Sequence, residues 1–161
     1  MIRVFLLSSE RSGSNLLKSL FAKYADIYAP YAPQLLKATG YLFGTKKLEN
    51  SDKRRRLINL MIELTNTHLS PWQLKTSDLG ELSYFIETGN WSLMELIDLI
   101  YSSAARIGGY DSYFVKENNV FDYAYHIRRH FDIGAYFIYL VRDPRDVFAS
   151  FMKVPGGPNN A

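Results

Sequence analysis

Three short apolar runs, each followed by a pattern of helical period, restrict this chain to very few architectures. Arg3 to Leu7, Tyr113 to Lys116 and Tyr136 to Val141 are rich in β-branched and aromatic residues, and serines stop the first of them. Strands without a polar face are buried on both sides, which is the situation of a parallel sheet covered by helices. The intervening segments supply those helices. Asn15 to Tyr24 carries Leu16, Leu17, Leu20, Phe21 and Tyr24 as one apolar stripe. Ile27 to Pro33 holds Pro30 and Pro33 and must be extended or turning. Leu35 to Phe43 reads as a short helix closed by Gly44. A basic patch of Lys46, Lys47, Lys53, Arg54, Arg55 and Arg56 is expected as a solvated face, and its second half opens a helix to Leu69. Leu57, Leu60, Met61, Leu64 and His68 form that helix's apolar face. Ser92 and Glu95 make a capping box for a helix burying Leu93, Leu96, Ile97, Ile100, Tyr101 and Ala104, with Gly108-Gly109 as its stop. Further helices are predicted from Asn119 to His130 and from Asp143-Pro144 onward, Asp as N-cap and Pro at the first helical position.

The predicted fold class is therefore α/β, a parallel sheet with helices on both faces. At 161 residues, 47% hydrophobic and 22% charged, the chain reads as one domain over residues 1–153. Residues 154–161 are turn formers, and three strands make a thin parallel sheet, so the expectation is a sheet incomplete at its carboxyl end. The absence of cysteine excludes disulfides, thiolate metal sites and cysteine catalysis, and fits a reducing, cytoplasmic setting. A formal charge of +3 is too mild to indicate a nucleic-acid partner but accommodates an anionic ligand. No apolar run approaches the ~20 residues of a membrane span.

Two strand ends carry anion-binding chemistry. Ser8-Ser9-Glu10-Arg11-Ser12-Gly13-Ser14-Asn15 lies between the first strand and first helix, where a small turn aims backbone N–H groups and a positive helix end at one point. It is not the nucleotide-triphosphate loop G-x-x-x-x-G-K-[ST]. Aligned on Gly13, the lysine is Ser14 and the magnesium-binding hydroxyl is Asn15. Arg142-Asp143-Pro144-Arg145-Asp146-Val147-Phe148-Ala149-Ser150 follows the last strand. Arg142 emerges at the carboxyl edge, where open α/β sheets bind ligands, with a planar fork suited to a phosphate dianion. Asp143 and Asp146 suit the following helix dipole and also offer Arg142 an ion pair.

Together, Ser-x-x-Arg-Ser-Gly-Ser after one strand and Arg-Asp-Pro-Arg-Asp-Val-x-x-x-Ser after another resemble the sulfotransferases that use PAPS (3′-phosphoadenosine 5′-phosphosulfate). The resemblance implies a P-loop-like fold, PAPS as sulfuryl donor and no metal. It implies that Arg11, Ser12, Gly13, Ser14 and Asn15 hold the 5′-phosphosulfate, and Arg142 and Ser150 the 3′-phosphate. The family often has Thr where Asn15 stands. Its domain normally continues beyond the second motif, so the likeness is to the amino-terminal portion of such an enzyme. The acceptor implied is a hydroxyl or amine of a small molecule or carbohydrate.

Sulfuryl transfer loads negative charge onto the departing oxygen, and a fixed cation there stabilises the transition state. Arg11 is the candidate, with Lys116 at the second strand end steadying the leaving phosphate or the acceptor. Some family members have His two residues after that lysine; here Asn118 stands there. Glu117 and Asp26 are then the candidates for general base, and His68, His126 and His130 are expected to be structural or superficial. The alternatives are a P-loop kinase or NTPase, and a nucleotide-binding chain without turnover.

Overall fold

The computed structural model of this chain describes residues 1–43, 47–67, 70–80, 86–87, 91–131 and 134–153. Among these residues, β1 (Ile2–Ser8), β2 (Ser112–Val115) and β3 (Ala135–Leu140) form a parallel sheet in the order β2-β1-β3. The register sets Ile2 opposite Ser112 and Phe5 opposite Val115 on one side, and Arg3 opposite Ala135 and Ser8 opposite Leu140 on the other. All three strands thus point their carboxyl ends the same way. Tyr28 runs extended beside β2, its N–H donating to the Ser112 carbonyl and its own carbonyl accepting from Phe114 N–H. Among the described residues no helix is long and apolar enough to cross a membrane.

Side chains alternate across the sheet, so each strand feeds two cores. Phe5, Tyr113, Val115 and Phe137 face the larger one, where Phe5 stacks on Phe137 with ring centroids 5.7 Å apart. It is covered by α2 (Leu35–Phe43), α3 (Ser51–Thr67), α4 (Leu93–Ile107) and α5 (Val120–His130). Leu6, Phe114 and Ile138 face the smaller core under α1 (Ser14–Tyr24), where Phe21 stacks on Phe114 at 4.6 Å. Complete burial of each such side chain is worth about 1.5–3 kcal/mol. Helices on both faces of a parallel sheet are what the apolar strands predicted, but β3 is an edge strand and Tyr136, Tyr139 and Val141, expected to be buried with it, are exposed.

α4 begins at the expected capping box: Glu95 N–H donates to Ser92 Oγ at 3.3 Å, and Ser92 N–H to Glu95 Oε2 at 2.6 Å. Its Asp98 accepts from Arg3 Nε at 2.7 Å and from the Tyr113 hydroxyl at 2.7 Å, locking the helix to the amino-terminal ends of β1 and β2. α6 (Pro144–Phe151) starts as predicted, Asp143 Oδ1 accepting from Arg145 N–H at 2.8 Å.

Three predicted details differ. In α1 only Leu17 and Phe21 pack on the sheet; Leu16, Leu20 and Tyr24 are exposed, because a helix above a narrow sheet touches it along one thin stripe. In α3 the buried stripe is Leu57, Ile58, Met61 and Ile62, with Leu60 and Leu64 half-buried, so the helix is rotated from the expected face. That rotation buries Arg54, which was expected in the solvated patch: it is 3% exposed. Its guanidinium donates to the carbonyls of Leu48, Glu49 and Ile86, satisfying loop acceptors that the core would otherwise strand. Gly44, Lys46, His68 and the 154–161 tail lie outside the described residues.

Candidate functional site

The loop after β1 leaves the sheet at its carboxyl edge and is bent by two left-handed residues, Arg11 at φ 61° and Gly13 at φ 97°. Gly13 is the N-cap of α1 and has no side chain to occupy the helix's first N–H groups. Nothing lies within 4 Å of where a Cβ would sit, so glycine is required there by the dihedral and not by space. No acidic residue stands in α1's first turn, which leaves the positive helix end uncompensated. Ser12 was expected to face the ligand, but its hydroxyl donates to the Ser9 carbonyl at 2.7 Å and the residue is buried. It fastens the loop and does not line the pocket.

The register of β1 with β3 brings the second motif to the same place. Ser8 and Leu140 are partners, so the two loops leave adjacent strands side by side. Arg142 Nη1 donates to the Arg11 carbonyl at 2.9 Å, and Arg11 Nε donates to Ser150 Oγ at 3.0 Å. The ion pair of Arg142 with Asp146 is stretched to 3.9 Å and exposed, and contributes little. Arg142 is thus directed into the loop it was expected to complement, holding in place the one residue with a side chain that takes a left-handed conformation there.

Lys116 enters from the carboxyl end of β2. Its half-buried ammonium lies 3.4 Å from Asn118 Oδ1. Burial lowers its pKa, against the opposing pull of Glu10 and Glu117. These loops enclose a cavity of about 330 Å³ into which Arg11, Gly13, Ser14 and Asn15 face from one wall. Lys116, Arg142 and Ser150 close the other. A second cavity, about 440 Å³ and lined in part by Asp98, Arg106 and His130, lies toward the amino-terminal end of the sheet, away from both loops.

Two base candidates are placed elsewhere. Glu117 is 2% exposed and its carboxylate is fully engaged: Oε1 accepts from Leu35 N–H at 3.0 Å and the Tyr101 hydroxyl at 2.9 Å, and Oε2 accepts from Leu36 N–H at 2.7 Å. It caps α2 from a distant part of the chain. Desolvation raises its pKa, an effect opposed by those three hydrogen bonds and by Lys116. Asp26 is exposed, and its carbonyl accepts from Ser112 Oγ at the start of β2, the opposite end of the sheet. The sequence reading missed Glu10, whose carboxylate lies in the pocket and accepts from Asn118 Nδ2 at 2.8 Å. Nothing beside it in the chain marks it, and the informative partner is far away.

In comparison with known proteins, residues 3–159 fit the family model described as the sulfotransferase family. No curated protein and no solved structure matches the chain.

Proposed function

Because the chain belongs to the sulfotransferase family, we propose that it moves a sulfuryl group from PAPS to a hydroxyl or amine of a small-molecule or glycan acceptor. The observation that carries this reading is the meeting of the two loops, through Arg142 on the Arg11 carbonyl and Arg11 on Ser150. A nucleotide with phosphate at both its 3′ and 5′ positions needs two separated anion sites in one crevice. In this reading the N–H groups at the start of α1, with Ser14 and Asn15, take the 5′-phosphosulfate. Arg142 and Ser150 take the 3′-phosphate.

Arg11 and Lys116 flank the pocket from β1 and β2. As the sulfur–oxygen bond to the nucleotide lengthens, charge gathers on the 5′-phosphate oxygen, and cations fixed beforehand stabilise it without reorganising. Burial of the Lys116 ammonium strengthens that effect, because its field is less screened than a surface charge.

The reading is tested by thermal unfolding with two nucleotides. A ligand that binds only the folded chain stabilises it by about 2.7 kcal/mol at a concentration a hundred times its Kd. Adenosine 3′,5′-bisphosphate is expected to raise the Tm by several degrees, and adenosine 5′-phosphate much less. Equal shifts would remove the 3′-phosphate site. Magnesium-dependent ATP turnover would support the kinase reading in its place.

A further inference from the structure

A pocket lined by cations and helix N–H groups also contains a carboxylate. Glu10 faces the same cavity as Arg11, Lys116 and Arg142. In a site whose sole task is to hold a polyanion, an acid at this exposed place opposes binding by like-charge repulsion. Glu10 is nevertheless held in position: Asn118 Nδ2 donates to its Oε1 at 2.8 Å, while Asn118 Oδ1 turns to Lys116 Nζ at 3.4 Å. Among the described residues its Oε2 accepts no hydrogen bond. The proton acceptors expected from the sequence are spent or distant. Glu117 caps α2, Asp26 lies at the far end of the sheet, and His130 borders the second cavity.

We propose that Glu10 is the proton acceptor for the hydroxyl or amine being sulfated, an inference that rests on the sulfotransferase reading. The acceptor oxygen or nitrogen forms a bond to sulfur as the bond from sulfur to the 5′-phosphate oxygen breaks. The acceptor's proton passes to Glu10 Oε2, and the electron pair of the broken bond stays on the nucleotide beside Arg11 and Lys116. No other reactant is needed, and no atom changes oxidation state. Asn118 is a positioning residue: it fixes one carboxylate oxygen so that the other points at the acceptor, and spaces the acid from the Lys116 ammonium.

The test is Glu10→Gln in the full chain. Its amide oxygen still accepts from Asn118, so the loop keeps its shape. General base catalysis typically contributes 10²–10⁴-fold. With a sulfur-labelled PAPS donor and a panel of phenol, sugar and amine acceptors, kcat is expected to fall at least about a hundredfold. Affinity for adenosine 3′,5′-bisphosphate should stay the same or tighten, because a repelling charge has gone. A kcat within threefold of wild type overturns the proposal while leaving the family activity intact. A parallel loss of nucleotide affinity also overturns it, since Glu10 would then only shape the loop. Bisphosphate binding by a wild-type chain that sulfates none of the panel overturns the transferase reading, and the role of Glu10 with it.

Discussion

Replacing Glu117 with alanine is expected to destabilise the chain by about 3–5 kcal/mol, because two backbone N–H groups and the Tyr101 hydroxyl lose their partner inside the core. Stabilities of single domains run to only about 5–15 kcal/mol, so the variant should melt roughly 10 °C lower or more. Differential scanning calorimetry or urea titration measures this directly. Glu117→Gln should cost less, since an amide oxygen in the Oε1 position still accepts two of the three hydrogen bonds. The pH dependence has a definite sign. A carboxyl whose pKa is raised in the folded chain favours folding below its ordinary value, and that contribution is lost as pH rises through the raised one. Glu117→Ala should remove this component. A stability unchanged by the alanine substitution would mean that α2 starts without the carboxylate.

The second large effect concerns nucleotide binding. Arg142→Ala should weaken binding of adenosine 3′,5′-bisphosphate by more than about tenfold, the equivalent of one charge-assisted hydrogen bond at about 1.5–3 kcal/mol. Titration calorimetry with adenosine 5′-phosphate separates two origins for that loss. If Arg142 meets the 3′-phosphate, the monophosphate loses little. If Arg142 acts only by holding the Arg11 carbonyl at 2.9 Å, both nucleotides lose affinity equally. Arg142→Lys keeps the charge and gives up the planar fork, and should fall between wild type and alanine.

The order of strands and helices was legible because apolar runs of period two and stripes of period 3.6 are local properties. The placement of both loops at one edge followed from the same patterns, since parallel strands present their carboxyl ends together. What the chain does not announce locally is which of two adjoining apolar stripes a helix buries. α3 chose Ile58 and Ile62 over Leu60 and Leu64 because the partner surface decides, and Arg54 followed them inward. Glu117 is a long-range cap, separated from the start of α2 by about half the chain, and beside Lys116 it looked like a residue of the site. Glu10 was obscured in the opposite way: nothing near it in the chain marks it, and the contact that matters is with Asn118.

Ser8 and Leu140 are rungs of one ladder of main-chain hydrogen bonds. The spacing between the crevice's two halves is consequently dictated by backbone geometry, about 4.8 Å between neighbouring strands, and owes nothing to the helices threaded between them. Segments on the far side of the larger core can be lengthened, shortened or exchanged without altering how far apart those halves stand. If the crevice holds the sulfuryl donor as proposed, a protein built this way can change what it accepts while its grip on that donor stays constant.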